Sequence, residues 1–155
     1  MSEESEHPQL KFNPLILMAI AILITFLTQW VFPLPFFYPT LGSGIGAVLF
    51  IGGFVLGFPA LNAMMQVKTS PNPNHAPTNL VLGGTYRLTR NPMYLGMVVS
   101  YIGLFIFSHN LWFIPFTPIL VWLVTIWVII PEEQFLEKKF GDQYVLFKSQ
   151  VHRWI

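Results

Sequence analysis

From Phe12 to Val67 the chain reads FNPLILMAIAILITFLTQWVFPLPFFYPTLGSGIGAVLFIGGFVLGFPALNAMMQV, 56 consecutive residues without an Asp, Glu, Lys or Arg. A second uncharged run, 41 residues from Asn91 to Pro131, reads NPMYLGMVVSYIGLFIFSHNLWFIPFTPILVWLVTIWVIIP. One helix needs about 20 apolar residues to cross about 30 Å of hydrocarbon, so each run is long enough for two passes. The first divides at Phe32-Pro33-Leu34-Pro35, because two closely spaced prolines cannot continue a helix, and Pro39 reinforces the break. The second divides at Ser108-His109-Asn110, its only strongly polar tripeptide. The expectation is an all-α polytopic membrane protein, one membrane-embedded domain over residues 1–155. It has four transmembrane helices in two hairpins, at about 15–32, 41–65, 92–107 and 111–130.

The remaining composition agrees. Of the 155 residues 54% are hydrophobic and only 10% charged, where soluble domains carry about a quarter charged residues. Eight Lys and Arg against seven Asp and Glu leave no basic surface for a nucleic-acid backbone. Without cysteine there is no disulfide, thiolate metal site or cysteine nucleophile. His7, His75, His109 and His152 show no ligand spacing, so no metal site is expected. Neither a G-x-S-x-G elbow nor a phosphate-binding G-x-x-x-x-G-K-[ST] loop is present.

All eight basic residues lie outside the four spans: Lys11 in the first tail, Lys68, Arg87 and Arg90 in loop 66–91, and Lys138, Lys139, Lys148 and Arg153 in segment 131–155. The hairpin loops have none. An even number of spans puts every one of them on a single face, and the positive-inside rule makes both termini and loop 66–91 cytoplasmic. The acidic opening Met1-Ser2-Glu3-Glu4 is unlike a cleaved signal peptide, so the first span is expected to be retained. Gly42, Gly46, Gly53 and Gly57 share one helix face, as do Gly96, Ser100 and Gly103, and small residues of this kind let helix backbones approach closely. The glycine face can serve the internal bundle or a homo-oligomer. Gly42-Ser43-Gly44-Ile45-Gly46-Ala47 also fits a dinucleotide-binding pattern, but no strand precedes it, which favours packing.

Polar chemistry concentrates in loop 66–91 and in the interfacial segment 131–155. The second opens with Pro131-Glu132-Glu133, suited to a helix amino terminus. It continues with Leu136, Phe140, Tyr144, Phe147, Val151 and Trp154 at steps of three or four, an amphipathic helix that Gly141 can divide. If the third and fourth spans form a hairpin, Arg90-Asn91 and Glu132-Glu133 emerge side by side. That juxtaposition reads either as an ion pair anchoring helix ends or as a pocket at the lipid–water boundary.

The stretch TYRLTRNPMYLG, Thr85 to Gly96, followed by PEEQFLEKKFGDQYVLFKSQVHRWI, Pro131 to Ile155, resembles the isoprenylcysteine carboxyl methyltransferase and phospholipid methyltransferase family. Thr69, Asn72-Pro73, Leu80-Val81 and Gly84 resemble its bacterial branch, which implies a prokaryotic cytoplasmic membrane. The resemblance implies S-adenosyl-L-methionine as cofactor and a lipid or lipid-linked acceptor. Carried over by position, it makes Tyr86, Arg90, Asn91, Pro92, Tyr94, Gly96, Glu132, Glu133, Phe140, Tyr144 and Arg153 cofactor-binding. Arg90, Asn91, Glu132 and Glu133 are also the catalytic candidates. Many relatives have histidine where this chain has Asn91, which cannot titrate near neutrality and so cannot be a general base. Two alternatives remain: a membrane reductase using NADPH, for which only Lys68, Arg87 and Arg90 supply cations in the loop, and a non-catalytic protein in which arginine and glutamates simply pair.

Overall fold

The computed structural model describes residues 8, 10–36, 39–70, 75 and 77–155; Met1-Ser2-Glu3-Glu4, His7 and Asn72-Pro73 lie outside the described residues. Every regular element among these residues is helical: α1 Pro14–Val31, α2 Pro39–Gln66, a 3-10 turn Gly84–Arg87, α3 Pro92–Phe107, α4 Phe113–Val124, α5 Ile130–Phe140 and α6 Asp142–Gln150. Three helical stretches, Pro14–Val31, Thr40–Gln66 and Phe113–Phe140, are long and apolar enough to cross a membrane, and α3 is a shorter apolar helix. The chain is an integral membrane protein.

Local chemistry sets the helix ends. Asn13 caps α1 by accepting from the Leu15 N–H at 2.9 Å, and Pro14 supplies a preset φ at the first helical position. Beyond α1, the Gln29 side chain bonds both the N–H and the carbonyl of Leu34 and so folds the proline-rich exit. The far turns then join: Trp112 Nε1 donates to the Phe32 carbonyl at 2.8 Å, and Ser43 Oγ lies 3.0 Å from His109 Nε2.

The main helix contact runs between α2 and α3, while α1 lies on α4. The stripes of small residues make the first contact possible. A Cβ on Gly46 would strike the backbone of Phe107 and Gly103, one on Gly53 would strike Ser100 and the Gly96 carbonyl, and one on Gly103 would strike Phe50. Gly44 and Gly52, on other faces of α2, have open space at the same position. In apolar solvent, association rests on such close van der Waals fit and not on the hydrophobic effect. The other packing layer joins Leu17 of α1, Tyr101 and Phe105 of α3 and Leu120, Val124 and Val128 of the fourth helix. Within it Thr25 Oγ1 and Tyr101 Oη are 2.6 Å apart and Asn110 Nδ2 donates to the Thr25 carbonyl at 3.0 Å, so these buried polar groups are satisfied.

Two expectations change here. Segment 131–155 does not start a new helix at Pro131, because a π turn, Thr125–Ile129, carries α4 into α5 as one stretch, Phe113–Phe140. Proline lacks the N–H that would bond the carbonyl four residues back, here that of Trp127. Lys11 N–H supplies the missing donor to that carbonyl at 3.2 Å, and the wider π turn makes room for the ring. The amphipathic stripe divides at Gly141, φ +53, as expected, but it is shorter than its periodicity suggests, because the chain leaves helical geometry at Val151. Leu136, Phe140, Tyr144, Phe147 and Val151 share one cluster, whereas Trp154 packs in the other.

Gly53→Leu should force α2 and α3 apart and lower the thermal midpoint in detergent, an overpacking cost of about 3 kcal/mol or more. Gly44→Leu, facing open space, should leave the midpoint unchanged. Equal effects of the two substitutions would show that the α2–α3 contact is not the constraint described.

Candidate functional site

At the end of the bundle opposite the Trp112 and His109 turn lies a cleft walled by α2, loop 66–91, α3, α5 and α6. Loop 66–91 walls it through defined contacts. Thr69 is buried and its Oγ1 accepts from the Thr78 N–H at 2.9 Å, while Asn79 Nδ2 donates to the Val67 carbonyl at 2.6 Å. Those bonds tie together the two limbs of the loop. Gly84, at φ +63, opens the 3-10 turn in a conformation that suits glycine, and the turn buries Tyr86 against the cleft. Burial, reinforced by the charge of Glu132, pushes the Tyr86 hydroxyl far above its ordinary pKa, so it stays neutral.

Two acidic neighbours on one helix have different surroundings. Glu133 is buried and bridges two arginines: Oε1 lies 3.3 Å from Arg90 Nη2, and Arg153 grips both oxygens, Nε to Oε1 at 3.1 Å and Nη2 to Oε2 at 2.7 Å. This fork holds the Arg153 guanidinium above its ordinary pKa, against partial desolvation. Glu132 has no cationic partner among the described residues; its Oε1 accepts from the Tyr94 hydroxyl at 2.6 Å. Arg90 lines the cleft, and its Nε and Nη1 are buried without a hydrogen-bond partner. An unmet buried donor of this kind costs about 1–3 kcal/mol, which an anionic ligand would relieve. Beside it the Tyr144 hydroxyl is raised by burial and by Glu133, with the charge of Arg90 and a hydrogen bond from its guanidinium opposing.

The structure brings most of the expected residues together. Tyr86, Arg90, Asn91, Pro92, Tyr94, Glu132, Glu133 and Tyr144 line the cleft. Three lie elsewhere. Gly96 sits against Gly53 and Gly57 in the α2–α3 contact, Phe140 packs beside Tyr144 and Phe147, and Arg153 stands behind Glu133. Asn91 is engaged structurally, its Nδ2 donating to the Arg153 carbonyl at 3.0 Å. Met64, His75, Asn79, Leu136 and Phe147 also line the cleft, a placement that sequence reasoning misses. Leu136 and Phe147 carry a signal in the apolar stripe; Met64, inside a uniformly apolar helix, carries none.

A second opening adjoins the first. An almost wholly apolar groove runs between α1 and α2 over α3, lined by Met18, Ile22, Phe54, Leu61, Met97 and Leu104 among others. Met93 belongs to both walls, so groove and cleft meet at that side chain.

Glu133→Ala should destabilise the protein by about 3 kcal/mol or more in equilibrium unfolding, because it leaves two arginines facing one another without their shared anion. Glu137→Ala removes an exposed pair with Lys148, 2.9 Å apart, and should cost no more than about 0.5 kcal/mol.

Comparison with known proteins agrees with this architecture. A family model described as phospholipid methyltransferase matches residues 42–143, about two thirds of the chain. The match takes in the α2–α3 glycine contact, Arg90 and both glutamates. No curated protein and no solved structure matches the chain. The chain belongs to the phospholipid methyltransferase family and is thus an integral membrane protein of a methyltransferase family.

Proposed function

We propose that the protein is an S-adenosyl-L-methionine-dependent methyltransferase acting on a carboxylate or amine of a lipid or lipid-linked acceptor, at the cytoplasmic membrane interface. The observation that carries the reading is Arg90, buried at the cleft with Nε and Nη1 unpartnered, on the same cleft as Glu132, a carboxylate without a cation among the described residues. That pairing of a cation with spare donors and an anion with a spare oxygen suits the carboxylate and ammonium of an amino-acid moiety. Tyr144 and Phe147 offer flat apolar surface for a purine, and Leu80, Val81 and Leu136 keep water from the charged groups.

The cofactor, when bound, supplies a methyl group on a positively charged sulfur. In-line displacement from sulfur needs alignment and exclusion of water more than acid–base work. In this chain Arg90 and Glu132 would fix one end of the ligand, and Tyr94, through its bond to Glu132 Oε1, fixes the carboxylate. A carboxylate acceptor needs no base. An amine acceptor must lose a proton, and Glu132 is the carboxylate with a free oxygen, both oxygens of Glu133 being held by arginine. The apolar groove that meets the cleft at Met93 suits the tail of an acceptor moving in from the bilayer.

A nicotinamide-dependent reductase fits less well. NADPH brings several phosphates, yet Arg90 is the sole Lys or Arg among the described cleft residues, and Arg87 lies on another surface with Leu82 and Gln143.

Calorimetric titration of the detergent-purified protein with S-adenosylhomocysteine should show saturable binding, weakened about tenfold in Glu132→Gln, the scale of one charge-assisted hydrogen bond. No binding by folded protein with lipid restored would overturn the reading, and saturable NADPH binding would support the reductase instead. For the acceptor, Leu61→Trp should obstruct the groove and raise the KM for phosphatidylethanolamine vesicles or a prenylcysteine, with S-adenosylhomocysteine affinity unchanged. A KM unaffected by the tryptophan would exclude the groove as the tail's path.

A further inference from the structure

Residues His152, Arg153 and Trp154 bind both structural elements that carry the site's charges. On the Arg90 side, the Arg90 N–H donates to the His152 carbonyl at 3.0 Å, and the Arg153 carbonyl accepts from Thr89 Oγ1 at 2.9 Å and Asn91 Nδ2 at 3.0 Å. On the glutamate side, the Arg153 guanidinium grips Glu133, and Trp154 Nε1 donates to Thr125 Oγ1 at 3.1 Å, at the start of the π turn. Arg153 is not itself a wall of the cleft.

We propose that this segment is a strap and that Arg153 is a positioning residue, which holds Glu133 so that Arg90 keeps donors free for the amino-acid end of the ligand. The geometry gives the reason. A carboxylate facing one arginine favours a two-pronged grip on it. Here Glu133 presents only Oε1 to Arg90 Nη2, at 3.3 Å, because Arg153 takes Oε2 at 2.7 Å and shares Oε1. Without Arg153, Glu133 is free to fork onto Arg90 and occupy Nε or Nη1, the donors left unpartnered in the intact site. The strap also accounts for Asn91: its side chain fastens the Arg153 carbonyl beside Arg90, a task that needs an N–H donor and no titration.

This inference rests on the proposed function, and two ligands separate the two. S-adenosylhomocysteine carries the amino-acid end, whereas 5′-methylthioadenosine keeps the nucleoside and sulfur without it. Calorimetry on wild type, Arg153→Ala and Arg153→Lys is expected to show about a tenfold loss of S-adenosylhomocysteine affinity in Arg153→Ala, with 5′-methylthioadenosine affinity unchanged. Arg153→Lys keeps the charge without the two-donor fork, so it should show the same selective loss to a smaller degree, and it serves if the alanine variant does not fold. Equal losses for both ligands would mean a general structural role and overturn the proposal, as would no loss for either. Wild type that binds neither ligand would overturn the methyltransferase site itself.

Discussion

The close approach of α2 and α3 governs how everything else in the molecule is arranged. In hydrocarbon, apolar side chains gain little by leaving lipid for protein, so two helices stay together by fit. Gly46, Gly53, Gly96 and Gly103 let the backbones approach closely, with the small Ser100 side chain bonded across to the Phe50 carbonyl. That contact sets where α3 begins, and therefore where Arg90, Asn91, Pro92 and Tyr94 stand relative to Met64 on the other wall of the cleft. It also leaves α1 to pack on the fourth helix, and the space between α1 and α2 becomes the apolar groove.

Among the described residues, charge is then placed on this frame at one end. Burying an ion costs several kcal/mol unless it is paired and hydrogen-bonded. Glu133 meets that condition with two arginines, and Arg90 meets it in part, one nitrogen on Glu133 and two nitrogens without a partner. Glu132, one residue earlier, turns to Tyr94. Two adjacent carboxylates thus have different partners: Glu133 closes a network with two arginines, and Glu132 is left to a tyrosine hydroxyl.

The π turn Thr125–Ile129 links the membrane part to the site. It carries the helix past Pro131 and lets Glu132 and Glu133 continue the fourth helix instead of starting a separate surface helix. It is held from outside the helix, at its first residue, Thr125, by Trp154 and at its middle residue, Trp127, by the Lys11 N–H. Segments far apart in the chain therefore converge on the helix that presents the glutamates.

Much of this architecture is legible in the residue pattern. The two charge-free runs announce the membrane helices, because a charge in hydrocarbon is costly and a soluble domain does not go 56 residues without one. The i, i+4 glycines announce a packed face, and a short hairpin between α3 and α4 is enough to bring Arg90 toward Glu133. Three features are out of reach of pattern alone. Pro131 reads as a helix start, since local propensity does not register a carbonyl partner arriving from Lys11. Gly96 and Arg153 carry a family resemblance but stand outside the cleft, one in a helix contact and one behind Glu133. Periodicity and the cost of burying charge are written along the chain, and they are enough to mark the apolar stretches, the small-residue faces and the pairing of basic with acidic ends. Which glutamate is bridged and which is free was settled only by the folded molecule, as was the fastening of Arg90 to Glu133 by His152 to Trp154. Those outcomes depend on hydrogen bonds between residues far apart in the chain, such as Asn91 to Arg153, 62 positions away, and no local pattern encodes them.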